Sequence, residues 1–118
     1  MKVLAVFVLA FLAGSAYAIA QSSKSDQDKS STGNAEAGKK SFEMRCSPCH
    51  GADGSGKTAI ADSLGGIPDL HSKEVQMLTD DEIKKVITKG TDKMPPVSDV
   101  TDAEVADLIA FIRVLGAK

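Results

Sequence analysis

From residue 34 to the C-terminus, apolar residues recur at spacings of three and four, the pattern of helices with one buried face. No stretch alternates apolar and polar residues in the manner of a half-buried strand. The first helix is predicted from Ala35 to Arg45, with Asn34 as its N-cap and with Gly38 and Phe42 on one face. The pattern therefore predicts an all-α domain.

Two further helices have clear start signals. The sequences TDDE and TDAE, which begin at Thr79 and Thr101, have the Ser/Thr-x-x-Glu pattern of a capping box. An apolar stripe follows each box, and the two helices are predicted to end at Gly90 and Gly116. The stripes contain Ile83, Val86 and Ile87 in one helix, and Val105, Leu108, Ile109, Phe111, Ile112 and Leu115 in the other.

The segments between the helices are long and rich in glycine. Residues 51–78 include five glycines and Pro68, with at most a short helix over residues 72–78. So long a connection in a small domain is unusual unless it has a function, such as wrapping around a large apolar ligand. A second loop, residues 90–99, is stiffened by Pro95 and Pro96.

The first 33 residues do not belong to the predicted domain. A positive start, an apolar run over residues 3–13 and small residues up to Ala20 predict a secretory signal peptide over residues 1–20, cleaved after Ala18 or Ala20. The alternative is an uncleaved membrane anchor, since the apolar run is barely long enough to span a bilayer. Residues 21–33 are Ser-rich and predict a flexible tail or linker, which leaves residues 34–118 as the domain.

Composition changes this picture in two ways. The net charge of −2 excludes a strongly basic nucleic-acid binder. The chain has no Trp, and only Phe42 and Phe111 among its aromatic residues lie beyond the signal segment. Something other than large side chains is therefore expected to fill the centre of the domain.

The sequence CSPCH contains the only two cysteines, Cys46 and Cys49, followed directly by His50. A disulfide between them would close too small a loop to stabilise the fold much. A thioredoxin-like redox pair would need a preceding strand, and none is predicted here. A zinc site that also used His71 would require adjacent residues 49 and 50 to bind one ion, although their side chains project in different directions.

The same sequence is the signature of covalent haem attachment. The two thiols would form thioethers to the vinyl groups of one haem, and His50 would be its proximal iron ligand. A haem would also replace the missing aromatic side chains and give the long segment 51–78 something to pack against.

With these residues, the chain resembles the class I c-type cytochromes. The resemblance covers residues 34–117 and rests on CSPCHG, IPDL at residues 67–70, KMPP at residues 93–96, and the last helix with Phe111. It implies a small all-α fold wrapped around one covalently bound haem c. The implied site residues are Cys46 and Cys49 for the thioethers, His50 and Met94 for the iron, and Pro68, whose carbonyl accepts from His50 Nδ1–H.

The resemblance also implies that Gly38 and Phe42 pack against residues 108–111 of the last helix. The chain departs from the family because residues 21–118 lack the Trp or Tyr that would hold the haem propionates, so their partners stay open.

The sixth iron ligand can also be considered from the residues themselves. The candidates are Met44, Met77, Met94 and His71. Met44 is tied to the proximal side by its closeness to Cys46, Met77 is expected in the core, and His71 is expected to face solvent. Met94, in a loop held by two prolines, is the preferred ligand, with a vacant or His71-ligated iron as the alternatives.

An iron held by His and Met has no free position for a substrate, so the expected function is one-electron transfer and not catalysis. The expected partners are redox proteins, including membrane respiratory complexes, with no nucleic acid and no small-molecule substrate at the iron. The expected location is the periplasm or another exported compartment such as the thylakoid lumen. The alternatives are a haem c subunit of a larger oxidoreductase, a peroxidase-like protein if Met94 does not ligate, and a membrane-tethered cytochrome.

Overall fold

Residues 33–118 are described in a computed structural model of the chain. They form six helices and, within this range, no strand, so the predicted all-α class is confirmed. The predicted signal peptide and nearly all of the predicted tail lie outside the described residues. No helix within residues 33–118 has the length and apolar character needed to cross a membrane. The helices are α1 (Ala35–Arg45), α2 (Ser47–His50), α3 (Ala59–Ser63), α4 (Lys73–Gln76), α5 (Asp80–Lys89) and α6 (Asp102–Gly116).

The three predicted helix starts are all present. The side chain of Asn34 accepts hydrogen bonds from the backbone N–H groups of Glu36 and Ala37, which caps α1. Helices α5 and α6 each begin with a complete capping box, in which threonine and glutamate satisfy each other's backbone N–H groups. Gly90 follows α5 as predicted, whereas α6 includes Gly116 and has Ala117 as its C-cap.

The core lies where α1 crosses α6. At Gly38 the helices approach so closely that a Cβ atom would collide with the backbone carbonyl of Asp107. Phe42 is 1% exposed and its ring centroid lies 5.2 Å from that of Phe111. The crossing implied by the family resemblance is therefore confirmed, and it fixes the C-terminal end of α1, where the cysteine motif begins.

The 51–78 connection holds more structure than its sequence predicted. The expected short helix near residues 72–78 is present as α4. Helix α3 was not predicted, because its five residues are too few to show an apolar stripe. It packs through Ala61, whose exposed fraction is 0%.

The predicted burial of Met77 was wrong. Its side chain is 72% exposed, at the C-terminal end of α4. The short helix is anchored instead by Gln76, whose Nε2 donates to the carbonyls of Leu70 at 2.7 Å and Ile112 at 3.0 Å. These two bonds orient the helix so that the following residue faces outward.

Candidate functional site

A cavity of about 530 Å³ lies between the cysteine motif, the 51–78 segment, α5 and the following loop. This volume falls within the range of about 300–1,000 Å³ that small-molecule sites occupy. All five predicted site residues line it: Cys46, Cys49, His50, Pro68 and Met94. Most of the remaining lining is apolar, including Leu64, Ile67, Leu70, Val75, Leu78, Ile83, Val86, Ile87, Val97, Leu108 and Ile112. The structure thus brings together residues that are far apart in the sequence.

The cysteine motif forms the tight turn of α2, directly after α1. Cys46 is the C-cap of α1, and its carbonyl accepts hydrogen bonds from Cys49 N at 3.2 Å and His50 N at 2.9 Å. The two cysteines are free thiols, not a disulfide. Burial raises the pKa of the Cys46 thiol to about 11, although the charge of Arg45 acts in the opposite direction. A protonated, half-buried thiol is unlike the low-pKa cysteine of a thioredoxin-like redox pair.

His50 presents an imidazole suited to a metal. Burial lowers its pKa, so the ring is neutral at neutral pH, which is the form that donates a nitrogen lone pair to a metal. Its Nδ1 atom is buried and has no hydrogen-bond partner within residues 33–118. The bond to the Pro68 carbonyl implied by the resemblance is therefore not formed in this structure. Pro68 does line the same cavity, and its role in binding stays a prediction.

The loop that carries Met94 is held by its own backbone. Thr91 N donates to the Met94 carbonyl at 2.7 Å, and Met94 N lies 3.2 Å from Thr91 Oγ1. Gly90 has a φ of +73°, and a Cβ atom there would collide with the Met94 carbonyl. Val97 N donates to the Ile87 carbonyl at 2.9 Å, which ties the far side of the loop to α5. These contacts fix the backbone of the loop around Met94.

The other candidate sixth ligands are placed elsewhere. Met44 and Met77 are both 72% exposed. Nδ1 of His71 lies 2.6 Å from Asp69 Oδ1, and the ring is not among the groups that line the cavity. Among the four candidates, Met94 is the one on the cavity wall.

The zinc alternative has no support in the described part of the chain. Within residues 33–118, no three side chains of His, Cys, Asp or Glu are grouped closely enough to hold a metal ion. A site combining Cys46, Cys49, His50 and His71 would need such a group. What the cysteine motif offers instead is two thiols and one neutral imidazole on an apolar wall, which fits a flat, largely apolar group bearing one metal.

Two cations also lie at this cavity, and their hydrogen bonds were not predicted from the sequence. Arg45 and Lys93 line it, and the lining contains no carboxylate. Arg45 donates to the carbonyls of Ser98 at 3.0 Å and Asp99 at 3.4 Å, and Lys93 Nζ donates to the Gly66 carbonyl at 3.1 Å. These bonds join segments that are distant in the sequence, so no local pattern could indicate them.

The chain is similar to known cytochromes in sequence and in fold. Residues 33–112 match the family described as "Cytochrome C oxidase, cbb3-type, subunit III". Over 54 residues the chain is 35% identical to cytochrome c-555 of Methylococcus capsulatus (strain Bath), a match that covers 46% of this chain and 37% of that protein. The fold is similar to the KustC0563 c-type cytochrome, with a TM-score of 0.59, 31% identity, and coverage of 66% of this chain and 95% of that one.

The curated relative is matched over little more than a third of its length, so these comparisons define a domain and not a whole protein's activity. The family match, in contrast, extends over most of the described residues and includes the cysteine motif, Pro68 and Met94. The chain therefore belongs to the class I c-type cytochromes, electron-transfer proteins that bind haem c covalently.

Proposed function

We propose that this chain is a one-electron carrier outside the cytoplasm, in which Cys46 and Cys49 would hold haem c and His50 and Met94 would bind its iron. The observation that carries the proposal is the placement of these four side chains on one apolar cavity. The family match supports the haem, and the place of Met94 on the cavity, in a loop held by backbone hydrogen bonds, supports the sixth ligand.

Each of these residues has a separate task. When bound, haem c supplies an iron that exchanges one electron between its ferric and ferrous states. Cys46 and Cys49 would hold the group in place, and His50, directly after Cys49, would offer a neutral nitrogen from the same turn. The thioether of Met94 is a soft ligand that favours ferrous iron and therefore raises the reduction potential. The apolar walls keep water away from the site.

A carrier is favoured over an enzyme because both axial positions would be filled by side chains of this chain. A substrate could reach the iron only by displacing one of them. The backbone bonds between Thr91 and Met94 oppose such a displacement, because the loop is held in one conformation. Partners would then be other redox proteins that approach the cavity mouth, with electrons passing at the edge of the site.

A second candidate is a haem c subunit of a larger oxidoreductase. It is favoured by the description of the matching family, which names a subunit of an oxidase. Both candidates use the same site and differ in assembly. The mass of the native particle from exporting cells separates them, since a free carrier elutes near the mass of one chain.

The test of the carrier is a pair of absorption spectra, for the ferric and ferrous forms of protein purified from an exporting, haem-attaching host. We expect six-coordinate low-spin iron in both states, and a ferrous form that does not bind carbon monoxide at once. A high-spin ferric spectrum, or immediate binding of carbon monoxide, would show an open iron and would favour the peroxidase-like alternative.

A further inference from the structure

The N-terminal end of α3 is hydrogen-bonded to the cysteine motif. The hydroxyl of Thr58, which is the N-cap of α3, donates to the Cys49 carbonyl at 2.7 Å and accepts from Ala61 N at 3.0 Å. Ala61 itself is fully buried. The N-terminal end of α3 therefore moves with the residues that hold the haem.

The end of α3 turns its backbone toward the Met94 loop. Gly65 and Gly66 follow the helix with φ values of +75° and +86°, and their N–H groups bond back to Asp62 and Ala61. Left-handed φ angles of this kind strongly favour glycine. The turn leaves the Gly66 carbonyl available, and Lys93 Nζ donates to it at 3.1 Å.

The bond between Lys93 and Gly66 links segment 51–78 to the Met94 loop. Within residues 33–118, it is the one hydrogen bond that joins segment 51–78 to the loop of residues 90–99. The other bonds of that loop lead to α5, through Val97, and to Arg45 at the end of α1. Without the Lys93 bond, the loop would still be tied to α5 and to the end of α1, but it would have no hydrogen bond to segment 51–78.

We propose that Lys93 is a positioning residue for Met94. Its ammonium group clamps the Met94 loop to the end of α3, whose other end is fixed to the cysteine motif through Thr58. The two ends of α3 would thereby fix the distance between the cysteine motif and the Met94 loop. This inference rests on the proposed ligation of iron by Met94. Loss of the clamp lets the loop move away more often, so an external ligand takes the place of Met94 more readily.

The test is the rate at which imidazole binds to the ferric holoprotein, measured by stopped-flow absorption. Lys93→Leu removes both the charge and the donor. Lys89→Leu removes the same charge from the exposed end of α5, four residues earlier, and serves as the matched control. Lys93→Arg keeps a donor and should restore the parent's behaviour.

We expect binding to be about three- to tenfold faster in Lys93→Leu, the factor expected for loss of one exposed hydrogen bond of ordinary strength. Lys89→Leu and Lys93→Arg should stay within about twofold of the parent, as most surface substitutions do. A purely structural role would lower the thermal midpoint without changing this rate at room temperature. Equal rates in Lys93→Leu and Lys89→Leu would overturn the proposal.

Met94→Ala separates this proposal from the one on which it rests. If Met94→Ala binds imidazole much faster than the parent while Lys93→Leu matches Lys89→Leu, Met94 is a ligand and Lys93 does not position it. If the parent binds imidazole as fast as Met94→Ala does, Met94 is not the ligand and both proposals fail.

Discussion

A buried polar atom without a partner costs about 1–3 kcal/mol, and Nδ1 of His50 is such an atom within the described residues. Coordination of iron by the other ring nitrogen would leave the proton on Nδ1 and make it a stronger donor. The Pro68 carbonyl is the acceptor that the family resemblance implies, and Pro68 lines the same cavity. At the scale of single residues, a hydrogen bond between these two groups would remove the cost.

The sequence identified the cavity residues well because their chemistry is local. Two thiols and an imidazole within five positions leave few alternatives, and the prolines after Met94 mark an unusual loop. The hydrogen bonds of Lys93 and Thr58 were not predicted, since each leads to a backbone carbonyl in another segment of the fold. Any Lys or Thr in a loop has the same local appearance.

Met94→Ala tests the proposed sixth ligand. Removing the thioether should let cyanide or azide bind to ferric iron and should lower the reduction potential, because the soft ligand favours the ferrous state. For a one-electron couple, a decrease of ~59 mV corresponds to about 1.4 kcal/mol. Met77→Ala, at an exposed methionine, is the control. An unchanged potential and unchanged anion affinity in Met94→Ala would exclude Met94.

At the scale of helices, the success of prediction from the sequence depended on helix length. Helices α1, α5 and α6 were predictable because each has a cap and several turns over which an apolar face can be recognised. Helix α3 depends on tertiary contacts, namely the burial of Ala61 and the bond from Thr58 to the cysteine turn. Met77 was placed wrongly because a single turn of helix shows no periodicity that could indicate its inward side.

Gly38→Ala tests the crossing of α1 and α6. At an exposed helix position the change would stabilise the protein by about 1 kcal/mol. Here the new Cβ atom would meet the Asp107 carbonyl, so we expect a loss of about 1–3 kcal/mol from overpacking. Urea unfolding of the holoprotein measures this difference. Lys40→Ala, on the exposed face of α1, should change stability by less than about 0.5 kcal/mol.

The glutamates of the two capping boxes predict how the free energy of unfolding depends on pH. Hydrogen bonds from the backbone and hydroxyl of Thr79 lower the pKa of Glu82, and those from Thr101 lower the pKa of Glu104. The folded state therefore binds protons less readily than the unfolded state. The stabilisation is complete above the usual glutamate pKa of 4.5 and is lost as the pH falls through the lowered values.

Urea midpoints measured from neutral pH down to acid test this dependence. In the double variant Glu82→Gln and Glu104→Gln, the acid-dependent loss of stability should be smaller than in the parent. Substituting Asp81→Asn and Asp92→Asn, two exposed carboxylates outside the capping pairs, should leave the acid profile close to that of the parent. Identical profiles in all three proteins would contradict the role of the boxes.

At the scale of the whole molecule, the fold and the cavity followed from a combination of weak signals. A small domain with two aromatic residues and a long glycine-rich connection needs a large apolar partner, and the cysteine motif specifies which one. The partners of the haem propionates could not be predicted, because residues 21–118 contain no Trp or Tyr to indicate them.

Export is the remaining prediction at this scale. We expect the mature chain to begin at Ile19 or Gln21 and to be recovered in the soluble periplasmic fraction, because small residues precede both positions. N-terminal sequencing of the protein from an exporting host checks this. Recovery from membranes with Met1 still present would favour the tethered alternative.

The central claim is that one haem is bound covalently through Cys46 and Cys49. The most direct test is the intact mass of the exported protein after acid–organic extraction, which removes haem that is not covalently bound. The account predicts the mass of the cleaved chain plus one haem, and the bare chain for the double variant Cys46→Ala and Cys49→Ala. A parent protein with the mass of the bare chain, from cells able to attach haem, would contradict the account.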